Sequence, residues 1–308
     1  MSRREILSGG ASLILAMALA GCASHSQAAE LAVLDVAYAG SMSSMMEGPI
    51  KAALGSQLRL DLHGRAQGSN ALANLIVGGN IRPDVFIPVT PDPMLTVLRA
   101  GKAKSAQPIA RTEMVIAYSP KSRFASKFDS ARVGKTNWWE ILQEPGLRFG
   151  RSDPVADPQG RNIIFTMMLA ARFYRQPNLV EKTLGSAINK KQIFSEPTVL
   201  ARLQSGELDA SSAYKIQPGP FDLPYVALPS EINLSSEHIR EENPDVKIAL
   251  GGKEYYPEPL IYYAAALNDA PNQKGGVEFI QWLKSSESQS IFRRYQYDPP
   301  DGASALRA

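Results

Sequence analysis

Two short turns carry residues that could do chemistry. Ala39-Gly40-Ser41 and Gly68-Ser69 each close a β-prone run and open a helical pattern. A serine at such a point can simply cap the helix that follows. Its hydroxyl and backbone N–H can also donate together to an oxyanion. The first N–H groups of a helix lack internal partners and sit at the positive end of its dipole. A third turn, Asp153-Pro154-Val155-Ala156-Asp157-Pro158-Gln159-Gly160, sets proline and glycine just ahead of a helix and exposes further backbone donors. The chemistry these turns share is the holding of an anion by neutral donors.

Other chemistries lack a complete set of residues. Gly134-Lys135-Thr136 suggests a phosphate loop, but Asp129 stands where that motif needs glycine. There is no G-x-S-x-G elbow and no H-E-x-x-H. The three histidines are His25, His63 and His238. A serine hydrolase on Ser41 or Ser69 would have to recruit one of the latter two, with no motif pointing to it. Arg293-Arg294 reads as a solvated helix end. Tyr255-Tyr256 and Tyr262-Tyr263 could hold ferric ion through paired phenolates. Tyr262-Tyr263 lies in an apolar run, however, and aromatic residues favour strands in any case.

The elements that must position the turns alternate in type. Leu31–Tyr38, Leu58–Leu62, Asp84–Val89 and Met114–Tyr118 read as strands, with helical patterns over Met42–Leu54 and from Gly68 to Val77 between them. The middle of the chain repeats the alternation. Trp138–Leu142, Asn162–Tyr174 and Thr198–Gln204 are helical, the last stopped by Gly206, and Leu147–Gly150 is a short strand. Leu260–Leu267 suits a buried strand, and Gly276–Lys284 places Val277, Ile280 and Leu283 on one helical face. The pattern is α/β with a largely parallel sheet, and 308 residues suffice for two such units. Hydrophobic residues at 44% and charged residues at 20% exclude a disordered chain or a polytopic membrane protein. Thirty-three basic against thirty acidic side chains, a balance of +3, give no reason to expect nucleic acid as a partner.

The single cysteine excludes an internal disulfide and a cysteine metal cluster. Arg3 and Arg4, the apolar run Leu13–Ala20 and a small-residue site form an export signal, too short to span a bilayer. Leu19-Ala20-Gly21-Cys22 resembles the lipobox of bacterial lipoproteins, which implies a signal over 1–21, lipidation of Cys22 and a tether over 22–30. An ordinary signal cleaved near Ala28-Ala29 is the alternative. Ser2-Arg3-Arg4-Glu5-Ile6-Leu7 is similar to the twin-arginine motif, with Ile in place of Phe. His25 falls in the tether.

The stretch Asn137-Trp138-Trp139-Glu140-Ile141-Leu142, followed by Arg148-Phe149-Gly150-Arg151-Ser152-Asp153-Pro154, resembles the tungstate/molybdate-binding proteins of ABC importers. So do Ala39-Gly40-Ser41, Gly206-Glu207-Leu208-Asp209, Tyr214 and Leu228-Pro229-Ser230-Glu231-Ile232-Asn233-Leu234. The helical region Phe279–Phe292 does as well, and the matches run in order over nearly all of the mature chain. The resemblance implies a type II periplasmic-binding-protein fold: two lobes, two crossing strands and an oxyanion in the cleft. The first lobe is expected over 31–117 and 260–308, and the second over 118–259.

By the same resemblance, Ser41, Ser69 and Tyr214 donate to the oxyanion, joined by Gln159 and Thr198. Two carboxylates coordinate its metal, Glu231 and Asp157, with Asp153 in reserve. A carboxylate beside a dianion is favourable only if it bonds the hexavalent metal itself, which sulfur in sulfate does not permit. Asp157 as a helix cap and Glu231 as a solvated loop residue are the structural alternatives. The expected protein is not an enzyme and has no cofactor. It is a monomer in the cell envelope that hands its anion to a permease and its ATPase. The chain departs from the family's usual Asp-Pro-Cys-Gly-Tyr-Arg with Asp157-Pro158-Gln159-Gly160-Arg161-Asn162, and has Ala210-Ser211-Ser212-Ala213 before Tyr214 where a more aromatic run is usual.

Overall fold

The computed structural model describes residues 30–300 and 302–307. Arg3, Arg4, Cys22, His25 and the boundaries at 21 and 22 lie outside the described residues. The chain first builds parallel strands β1 (Ala32–Ala39), β2 (Leu60–Gln67) and β3 (Val85–Ile87), with β1 paired to both others. β4 (Ser105–Arg111) follows helix Pro91–Arg99. Thr112 and Glu113 then carry the chain into a second sheet, where β5 (Met114–Tyr118), β6 (Phe149–Gly150), β7 (Ala210–Tyr214) and β8 (Tyr225–Ala227) assemble in the order β6-β7-β5-β8.

After a hairpin of β9 (Ile248–Leu250) and β10 (Lys253–Tyr255), β11 (Ile261–Ala266) and β12 (Leu306–Arg307) return to the first sheet. That sheet runs β12-β4-β11-β3-β1-β2. The change of sheet falls between Arg111 and Met114, a few residues ahead of the 117/118 boundary read from sequence. β5 pairs along its whole length with β7, not with the first sheet.

Helices cover both faces of the first sheet, which is why its inner strands β1, β3 and β11 are apolar on both sides. Ala37, Phe86, Ile261 and Tyr263 face helices Ser69–Val77 and Pro91–Arg99 through Leu72, Ile76, Met94 and Val97. Val36, Tyr38 and Tyr262 face the other way, toward Met42, Phe279 and Leu283. Helix Gln273–Leu283 corrects one sequence reading. Its buried stripe is Gly276, Phe279, Ile280 and Leu283, and Val277 is 47% exposed. Gly276 lies directly on Val85 of β3, which turns the neighbouring position about 100° away from the sheet.

Candidate functional site

β1 and β2 end side by side, Ala39 opposite Gln67. β1 leads into the 3₁₀ turn Gly40–Met42, which carries Ser41, and β2 leads through Gly68 into helix Ser69–Val77. Ligands in open α/β sheets bind at such carboxyl ends. From the second half, helix Pro158–Phe173 starts at N-cap Asp157, and helix Glu196–Ser205 starts at N-cap Ser195. Gly40, Ser41, Gly68, Asp157, Glu196 and Gln217 all line one cavity of about 440 Å³. Three helix N-termini therefore open on it, each presenting unpaired N–H groups and about half a positive charge. No Lys, Arg or His is among the lining residues.

The turn before Asp157 is held by short-range bonds. Asp157 N–H donates to the Asp153 carbonyl (2.8 Å), and Val155 N–H donates to Asp153 Oδ1 (2.8 Å). The Asp157 carboxylate accepts from the Gln159 N–H at 2.9 Å. A Cβ on Gly160 would stand 2.5 Å from the Ser152 carbonyl oxygen and 2.6 Å from the Pro154 nitrogen, so only glycine lets the turn close on the helix.

Glu196 is placed by longer-range contacts. Arg151 and Ile193 form a parallel bridge, with Arg151 N–H donating to Gln192 O (2.8 Å) and Phe194 N–H to Arg151 O (3.0 Å). This bridge brings Ser195 and Glu196 alongside the Asp157 turn. Gln217 Nε2 then donates to Glu196 Oε1 at 2.6 Å, while Gln217 Oε1 accepts from the Tyr214 N–H (2.7 Å) and Gln159 Nε2 (2.5 Å). Glu196 reaches across the cavity, because a Cβ on Gly40 would stand 2.8 Å from its Oε2.

Two carboxyl groups thus share a cavity that no basic side chain lines. Burial, and then the neighbouring Asp157 charge, push Glu196 up to about 8. Burial likewise raises Asp157 above the usual carboxylate range. Tyr214 is raised well above its ordinary value by burial and then by the Asp157 charge, so its hydroxyl keeps its proton. That oxygen already accepts from Asn162 Nδ2 at 3.1 Å, which leaves its O–H to donate elsewhere.

Of the residues singled out from sequence, Ser41 and Asp157 line the cavity, and Ser69 and Gln159 are buried immediately behind it. Ser41 Oγ lies 2.9 Å from the Tyr262 hydroxyl, and Ser69 Oγ accepts from the Val89 N–H at 3.3 Å. Thr198 is not among the lining residues, and its hydroxyl pairs with Ser195 Oγ at 2.6 Å in the first turn of its helix. Asp153 is used within its own turn.

Glu231 requires a correction. It is exposed and outside the cavity, accepting only from Ser230 Oγ at 3.1 Å. Its neighbours fix the chain where it crosses between sheets: Asn233 Nδ2 donates to Glu113 Oε2, and Met114 N–H donates to the Asn233 carbonyl. Ile232 and Asn233 turn inward there, which leaves the Glu231 side chain in solvent. Sequence reasoning missed Glu196 and Gln217. The available signal was Glu196-Pro197, an acid and a proline at a helix start that repeats Asp157-Pro158.

Two α/β halves around a cleft, with the chain crossing between them at Thr112 and Glu113 and again ahead of Ile261, constitute the type II periplasmic-binding-protein fold. Residues 34–298 match the bacterial extracellular solute-binding protein family, and the chain belongs to it. The molybdate/tungstate-binding protein of Thermococcus kodakarensis is 28% identical over 317 residues, covering 93% of this chain and 89% of that protein. The protein of the same description from Pyrococcus abyssi is 33% identical over 210 residues, and the match spans 60% of its length. Among solved structures, the periplasmic molybdate-binding protein of Azotobacter vinelandii superimposes with a TM-score of 0.58 at 15% identity, over 86% of this chain and 98% of that one. That likeness is one of fold. No helix among the described residues is long and apolar enough to cross a membrane.

Proposed function

We propose that this protein captures molybdate or tungstate in the cavity between its two halves and delivers it to an ABC permease and its ATPase. The observation that carries this reading is the convergence of three helix N-termini on a cavity without a basic side chain. Such a site suits a fully ionised dianion held by neutral donors. Ser41, Ser69 and Tyr214 supply hydroxyl donors, and the turns at Gly40, Gly68 and Asp157 supply N–H groups. Gln159 acts through Gln217. Asp157 and Glu196 are the two carboxylates positioned to reach the metal, and Glu196 takes the role that Glu231 cannot. The descriptions of the two archaeal relatives support this choice of anion.

The protein works as a receptor, not as a catalyst. Ser41 pairs with a tyrosine hydroxyl and Ser69 with a backbone N–H, so neither faces a base. Iron is disfavoured because Tyr262 and Tyr263 point to opposite faces of β11, and burial raises both, Tyr263 to about 12. A monomer lipidated at Cys22 and exported through its signal, by the general or the twin-arginine route, completes the proposal.

A thermal-shift panel with sodium molybdate, tungstate, sulfate, phosphate and ferric citrate tests it. At a hundred times its Kd the bound anion adds about 2.7 kcal/mol of stability. For a domain of this size that corresponds to roughly 5–10 °C in Tm. Molybdate and tungstate should give such shifts, while sulfate, phosphate and ferric citrate should not. A shift with ferric citrate alone would refute the reading.

A further inference from the structure

Arg161 is one of three residues, with Gln159 and Asn162, at which Asp157-Pro158-Gln159-Gly160-Arg161-Asn162 departs from the pattern of the family it resembles. It lies in the first turn of helix Pro158–Phe173, which packs on helix Leu179–Leu184 and on the second sheet. It is only 5% exposed, yet its hydrogen bonds go to no carboxylate. Nη1 donates to the Pro154 carbonyl of its own turn at 2.9 Å. Nη2 donates at 3.2 Å to Oδ1 of Asn70, which follows Ser69 in helix Ser69–Val77 of the first half. The guanidinium carbon also sits over the ring of Tyr255 in the β9–β10 hairpin, 4.4 Å from its centre. That hairpin is tied in turn to the first half, where Lys253 Nζ meets Asp92 at 3.3 Å.

We propose that Arg161 latches the cleft shut, joining the second half to Asn70 and Tyr255 and so setting how long a captured anion stays. The inference rests on the oxyanion reading above for its cargo, but the latch itself is a property of this chain. Any separation of Asn70 from the helix that begins at Pro158 must break the Arg161–Asn70 bond. A guanidinium buried this deeply finds water only when the halves part, so the cost of breaking the bond falls on opening. Closing needs no such step, and the latch therefore acts on release and not on capture. Arg161 does not line the cavity and is a positioning residue, touching the ligand only through the geometry it holds.

The test uses the mature protein, sodium tungstate as probe and three variants: Asn70→Ala, Arg161→Lys and the double substitution. Stopped-flow displacement gives the release rate and direct mixing gives the capture rate. Spin labels on the two halves report their separation. Each single substitution should raise the release rate about tenfold, the equivalent of losing one charge-assisted hydrogen bond, and change the capture rate by less than about twofold. The double substitution should add little to the larger single effect, because one contact is being removed twice.

In saturating tungstate the spin-label distances of the variants should broaden toward the open separation. The melting temperature of ligand-free Asn70→Ala should stay within about 2 °C of the parent, which separates a latch from a general packing role. Tungstate binding with unchanged release rates in Asn70→Ala and Arg161→Lys would overturn the latch and leave the oxyanion reading standing. A parent protein that neither binds nor closes with tungstate or molybdate would remove both.

Discussion

Replacing Glu196 with glutamine tests the electrostatics of the cavity in the ligand-free protein. The substitution preserves shape, and the new amide oxygen can still accept from Gln217 Nε2, so what it removes is the ability to carry charge. In the folded protein the Glu196 carboxyl is pushed from the usual 4.5 to about 8, first by burial and then by Asp157. A carboxyl raised on folding stabilises the native state fully below its unfolded value and loses that contribution as pH climbs through its folded value. The window is therefore pH 4.5 to 8. A shift of this size corresponds to about 5 kcal/mol at most. The side chain is partly exposed to the cavity, and screening there brings the expected effect to about 2–3 kcal/mol.

Urea unfolding of parent and Glu196→Gln at pH 5 and pH 9 supplies the assay. The parent should lose about 2–3 kcal/mol more than the variant between the two conditions, or roughly 5–10 °C by calorimetry. At pH 9 Glu196→Gln should be the more stable protein. Parallel pH curves would show that Glu196 ionises as freely folded as unfolded, and the account of two carboxyls crowded into one buried site would fail.

Two further substitutions probe the frame around that pair. Gly160→Ala drives a Cβ into the backbone of Ser152 and Pro154, which cannot move aside as a flexible side chain would, and should cost about 2–4 kcal/mol in urea unfolding together with weaker anion binding. Glu231→Ala should leave tungstate affinity by calorimetry within twofold of the parent and stability within about 0.5 kcal/mol, because the side chain is exposed and does not line the cavity.

What could be read from the sequence was what depends on neighbours along the chain. Ser41, Gly68 and Asp157 sit where a strand gives way to a helix, and that junction is written in a few consecutive residues. Glu196 owes its place to the Arg151–Ile193 bridge and to Gln217, contacts made over 42 and 21 residues, and nothing in its own surroundings announces them. Glu231 was chosen because its segment resembles a family segment, but the segment's inward residues serve the crossing between sheets. Val277 shows a limit of periodicity. An apolar stripe gives the spacing of a helix face, while the close approach of Gly276 to Val85 decides its rotation. The passage from β4 to β5 was hidden because Ser105–Arg111 is polar at Ser105, Gln107 and Arg111 and carries Pro108, so it does not announce a strand, and only Thr112 and Glu113 separate it from β5.

The position of β11 bears on the order in which the protein can be assembled. Ile261–Ala266 sits between β3 and β4, in the middle of the first sheet, although it is among the last strands to be synthesised. The second sheet draws all its strands from residues 114–227 and can form as soon as that stretch is available. Until β11 arrives, β3 and β4 each present an unpaired edge, the kind of surface that invites wrong partners. The half that supplies Ser41 and Ser69 is thus begun first and finished last, and a chain stopped short of Ile261 would hold one complete sheet beside the three strands β3-β1-β2, with β4 left without a strand partner.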